Sequence, residues 1–172
     1  NWESGTYEFD DNRHFPFQKV VLGEILPAFQ GEKDGQDVLD MLAQHPGTAR
    51  YVCRKLCRRF ISDDPSESIV QAAADVFMAN VDAPNQLQLV MRTILLSADF
   101  KTTWGEKIKR PFDYVISLMR AIQLDLDPIT NDLYWRYDPA GQSLFARATP
   151  DGYPDEKEAW IGTMSMLQRM RL

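Results

Sequence analysis

From Gln36 to Leu124 the apolar residues recur at helical spacing, and Pro, Gly and Asn punctuate the pattern. That rhythm commits the chain to short helices joined by short turns, since each apolar stripe has to be covered by a neighbour. "QDVLDMLAQ" puts Val38, Leu39, Leu42 and Ala43 on one stripe and stops before Pro46. "TARYVCRKLCRRFI" follows with Thr48 as its N-cap and Val52, Leu56 and Phe60 as its core face, flanked by Cys53 and Ile61. Pro65 opens the next helix, "SESIVQAAADVFMAN", which turns Ile69, Val70, Ala73, Val76 and Phe77 inward. "PNQLQLVMRTILLS" offers Leu87, Val90, Met91, Ile94 and Leu95. Pro111 then starts "PFDYVISLMRAIQL", with Phe112, Val115, Ile116, Met119 and Ile122 on its face. The expected fold class is all-α: a mainly helical array, one domain over residues 1–172.

The ends of the chain read differently. Within the first 30 residues, "FQKVVLGEILPAF" holds two short apolar runs joined at Gly23-Glu24, which predicts a small hairpin or irregular strand pair. "ADFKTTWGEK" reads as a loop carrying Phe100 and Trp104. "DLDPITNDLYWRY" reads as a short helix from about Thr130, stopped by Pro139, and "AGQSLFARATPDGYP" as loop. A last helix is expected from Asp155 to the end. Its apolar side (Trp160, Ile161, Met164, Leu167 and Met170 or Arg171) would pack on the helical core or on a second chain. With no initiator Met and no stop signal after the final helical pattern, the chain is expected to belong to a longer protein.

Several function classes are excluded early. A formal net charge of −6 disfavours a nucleic-acid partner, which needs a basic face. No apolar run reaches the roughly 18 residues of a membrane span; "VMRTILL" is short and carries Arg92. The first residues show neither the basic nor the apolar region of a signal peptide. Cys53 and Cys57 lie a helical turn apart, poorly aimed for a disulfide. His14 and His45 are the only histidines, so no zinc site, and no cofactor, is suggested.

Three clusters could carry chemistry. In "TPDGYPDEKEAW", Asp151-Gly152 is a turn dipeptide, Asp155 and Glu158 have capping-box spacing, and Glu156 suits a first helical turn. Asp151 and Asp155 are also the candidate acid/base residues. Arg50, Arg54 and Arg58 recur every four residues, with Lys55 and Arg59 beside them, a stripe able to hold phosphate, sulfate or carboxylate. Pairing with Asp63, Asp64 and Glu67 would neutralise it instead. Tyr134, Trp135, Tyr137, Phe145, Tyr153 and Trp160 form an aromatic group suited to a sugar or peptide partner, or simply to packing.

"QKVVLGEILPAFQG", "LAQHPGTARYVCRKLCRRFISDDP", "IKRPFDYVISLMRA", "GQSLFARATPDGYPDEKEAW" and "MLQRMR" occur in this order. Together they resemble the C-terminal half of bacterial proteins in the family called domain of unknown function 1800. The resemblance implies a longer, exported protein, often encoded beside a second exported family, domain of unknown function 1501, which is the partner it suggests. His14 and Lys19 fall where that family tends to carry a His and a Lys, and no role comes with them. Two functions remain open. One is an accessory module binding a partner protein or polymer through Tyr134, Trp135, Tyr153 and Trp160. The other is a hydrolase-type enzyme, completed by an N-terminal half, with Asp151 or Asp155 as acid/base and Arg50, Arg54 and Arg58 for an anionic substrate.

Overall fold

The structure is a computed structural model that describes residues 5–123, 141–143 and 146–170. The short helix expected near Thr130 and the aromatics Tyr134, Trp135, Tyr137 and Phe145 lie outside the described residues. The described part is mainly helical, as the periodicity predicts, with one two-stranded hairpin. Strands β1 (Lys19–Val21) and β2 (Glu24–Leu26) pair antiparallel, Lys19 opposite Leu26 and Val21 opposite Glu24. The turn is Leu22-Gly23, one residue earlier than expected. Both residues have positive φ, 51° and 89°, which suits the right-handed twist of a two-residue hairpin.

The helices are α1 (Lys33–Ala43), α2 (Pro46–Phe60), α3 (Glu67–Ala79), α4 (Gln86–Leu96), α5 (Ala98–Thr102), α6 (Pro111–Ala121) and α7 (Thr163–Met170). Helix α5 occupies part of the stretch read as loop: Ser97 caps it, its hydroxyl accepting from the Phe100 amide. Helix α2 begins earlier than the Thr48 cap implies. His45 is the N-cap, and its Nδ1 accepts from the Gly47 amide at 2.9 Å. A Cβ at residue 47 would lie 2.8 Å from that nitrogen, so glycine fits the close approach. Pro65 is buried but stands before the helix it was expected to open, and Ser66 caps α3.

The core forms where α2, α3 and α4 meet. Ala49, Cys53, Cys57 and Ile61 face Ile69, Val70, Ala73, Ala74 and Phe77, with Val90 and Ile94 closing the third side. Here the expected α2 face is corrected. Cys53 and Cys57 are fully buried and unbridged at its centre, Val52 and Leu56 are only partly buried, and Phe60 is exposed. Small side chains on α2 and α3 let the two helices approach closely, and the larger residues are displaced to the margin. On α1 the stripe is rotated too: Asp34 is buried, whereas Leu39 and Leu42 face solvent. Leu87 and Leu95 of α4 and Ile122 after α6 are likewise exposed.

The C-terminal segment is also corrected. Residues 157–159 form a 3-10 turn, and the α-helix starts only at Thr163. Trp160 is buried, but Ile161, Met164, Leu167 and Met170 are exposed, so among the described residues this face does not pack on the helical core, the first of its two expected partners.

Candidate functional site

The 151–157 loop docks where α2 ends, held by side chains remote in sequence. Asp63, just past α2, accepts from the Lys157 amide at 2.7 Å and pairs with Lys107. Lys107 also donates to the Asp155 carbonyl at 3.1 Å, while the Asp155 carboxylate pairs with Arg110 at 3.1 Å. The capping box expected of Asp155 and Glu158 is therefore absent: Asp63 supplies the acceptor at the 3-10 turn, and Asp155 is spent on Arg110. Burial alone would raise the Asp63 pKa. The bonds from Lys107 and the Lys157 amide outweigh it and hold this carboxyl below its usual range.

Each remaining candidate has a defined place. Asp151 is exposed, accepts from the Thr149 hydroxyl and lies 3.9 Å from Arg147; these partners, Thr149 first, hold its pKa down. Arg50 and Arg54 both pair with Glu67, at 2.6 and 2.5 Å, as the neutralised reading of the stripe expects. Arg58 departs from that pattern. It forms no ion pair among the described residues, and its Nε is buried without a hydrogen-bond partner. Trp160 is 4% exposed and donates its indole N–H to the Pro154 carbonyl. Tyr153 donates to the Ser143 carbonyl and packs on Trp160 at 6.1 Å between centroids. These two rings build the loop, and Trp160 has no face open to a ligand.

Arg58, Lys55, Asp63, Lys107, Asp151, Tyr153, Asp155 and Glu156 line one small cavity of about 100 Å³. The basic stripe and the acidic loop thus meet in this cavity through Arg58 and Lys55. Lys107 and Asp155 also line a second cavity of about 400 Å³, with Arg59, Lys109, Arg110, Asp113 and Arg120. Asp113 pairs with Arg59 and Arg110, which hold its pKa down. Among the described residues, Lys55, Arg58, Lys109 and Arg120 have no ion pair, and Glu156 is the one acidic lining group without one. The cleft therefore carries an excess of unmatched positive charge in an acidic chain. Lys107, Lys109 and Arg110 form the basic run "KIKR", which nothing in the sequence ties to α2.

A second polar centre joins His14 and Lys19, the pair marked by the family resemblance, to Asp34, which no sequence pattern ties to them. Asp34, in the first turn of α1, receives His14 Nε2 at 2.8 Å and Lys19 Nζ at 2.5 Å on Oδ2, and Gln30 on Oδ1 at 3.0 Å. The Lys19 ammonium, helped by His14 and Gln30, lowers the Asp34 pKa to about 2 against the opposing effect of burial.

The family model for proteins of unknown function, DUF1800, matches residues 1–172. The chain belongs to the DUF1800 family. No curated protein and no solved structure matches it. Among its described residues, this DUF1800 chain has no helix long and apolar enough to cross a membrane and no group of metal-binding side chains.

Proposed function

We propose that this DUF1800 chain is an accessory binding module of an exported protein, taking an acidic partner in the cleft between α2, residues 107–120 and the 151–157 loop. The observation that carries this reading is the set of unmatched cations, Arg58 above all, around two cavities that share Lys107 and Asp155. A buried guanidinium Nε without an acceptor favours an oxygen ligand, and Arg presents such groups in a fixed fork. The inner cavity has room for a single carboxylate, phosphate or sulfate group, and the outer one for the chain that bears it. A partner of the domain of unknown function 1501 family would qualify if it presents an acidic segment.

The hydrolase reading through Asp151 or Asp155 has less support. Asp155 is neutralised by Arg110, and Asp151 is exposed and acid-shifted, whereas a general acid needs a raised pKa. Titration with poly-L-glutamate tests the binding reading. Saturable, salt-sensitive binding should weaken about tenfold in Arg58→Gln/Lys109→Gln, because two charge-assisted contacts are lost. Arg50→Gln, already committed to Glu67, should change little. Binding indifferent to the double substitution would rule the cleft out. Binding of a sulfated polysaccharide in place of polyglutamate would assign the cleft to a sulfated polymer.

A further inference from the structure

The Asp34 centre has the parts of a proton-transfer site, and it stands independently of the cleft. An ionised carboxylate only accepts, so the His14 Nε2 atom bonded to it carries a proton. In the neutral ring the lone pair then resides on Nδ1, which has no hydrogen bond among the described residues. The imidazole is 19% exposed, so small molecules can reach it. Phe9 packs edge-on against the ring at 5.4 Å and limits its rotation.

Lys19 is fixed beside it. Its ammonium lies 3.3 Å from His14 Nε2, but a protonated Nε2 cannot accept, so this contact is not a hydrogen bond. Two of the three Lys19 N–H groups go to Asp34 Oδ2 and, at 3.3 Å, to the Phe17 carbonyl. The third remains for a ligand oxygen. An apolar wall adjoins them: Lys19 lies over the Phe15 ring, and Phe15, Phe17 and Phe29 follow in edge-on contacts, each more than half exposed. Cys53 and Cys57 are no source of a nucleophile here, being sealed in the core.

We propose that His14 and Lys19 form a hydrolytic site for neutral esters with an apolar or aromatic acyl group, with Asp34 as the positioning residue. His14 Nδ1 takes a proton from water as the water oxygen bonds to the ester carbonyl carbon. The carbonyl π pair moves onto its oxygen, where the free Lys19 N–H stabilises the charge. On collapse the bond from carbon to the leaving oxygen breaks, and that oxygen takes the proton back from Nδ1. The products are a carboxylic acid and an alcohol, and water is the only co-reactant.

The test uses the whole protein with p-nitrophenyl butyrate, compared with free imidazole at equal concentration. Saturable hydrolysis about a hundredfold faster than imidazole is expected, within the range of general-base catalysis. His14→Gln should reduce it to the imidazole level, and His45→Gln should leave it unchanged. Lys19→Gln should lower kcat more than it raises KM. Asp34→Asn should lower kcat at little-changed KM, and Asp34→Glu should restore part of the loss, because the carboxylate holds the ring tautomer. A merely structural Asp34 would lower the unfolding midpoint in step with the rate. If Asp34→Asn fails to fold, His14→Gln and Lys19→Gln decide. A rate no faster than imidazole, or one that survives His14→Gln, overturns the proposal.

Discussion

Asp63→Ala should loosen the cleft while leaving the helical core in place. The substitution removes two acceptor contacts, one to the Lys107 ammonium and one to the Lys157 amide. Hydrogen bonds to charged groups contribute about 1.5–3 kcal/mol each, so roughly 3–6 kcal/mol is the ceiling. Lys107 is 23% exposed, so water can replace part of its loss, and it keeps the Asp155 carbonyl. The expected cost is therefore about 2–3 kcal/mol of unfolding free energy. Because the folded pKa of Asp63 lies below its unfolded value, this stabilisation is full above the unfolded pKa, about 3.9. It disappears as pH falls through the folded pKa, so variant and parent should converge in acid. Urea unfolding followed by circular dichroism measures the loss, and hydrogen exchange at the Lys157 amide localises it. A loss under about 1 kcal/mol at neutral pH, with unchanged Lys157 exchange, would refute the clamp.

Ile94, fully buried where α4 meets α2 and α3, should cost about 3–4 kcal/mol when cut to Ala, read as a lower urea midpoint at unchanged slope. Cys53 and Cys57 should resist a thiol reagent in the folded protein, since burial pushes both pKa values up to about 11; labelling at the rate of global unfolding is expected, and fast labelling would contradict their place in the core. Met170→Glu on α7 should shift stability by less than about 0.5 kcal/mol, because this side chain is 79% exposed; a large loss would mean that the face is covered.

The helices were legible because a 3.6-residue period is a local property of the sequence, and α3 was read almost to the residue. Its buried set differs from the expected one by Ala74, with Val76 at the margin. The orientation of α2 was not legible. Val52, Leu56 and Phe60 outweigh Ala49, Cys53 and Cys57 in hydrophobicity, yet close helix packing selects for small volume, which a hydrophobic stripe does not report. Arg50 and Arg54 pair with Glu67, one of the three downstream acids that sequence proximity offers them. The bonds that build the cleft and the Asp34 centre join residues with no common pattern. Lys107 and Asp63 are 44 positions apart, and Lys157 and Asp63 are 94 apart. His14 and Asp34 are 20 positions apart, and the resemblance that marks His14 says nothing of Asp34.

Those long spans bear on the order in which the molecule assembles. Helices α2, α3 and α4 follow one another in the chain and bury their contacts by closing short loops. The 151–157 loop must be brought back over 94 positions to reach Asp63, and that entropy is lost before any bond forms. The three-helix unit is thus expected to form first and the loop to dock last. In the native state the same loop should open by itself, ahead of the core. A ligand in the inner cavity would meet a door that swings on a faster clock than the frame holding it.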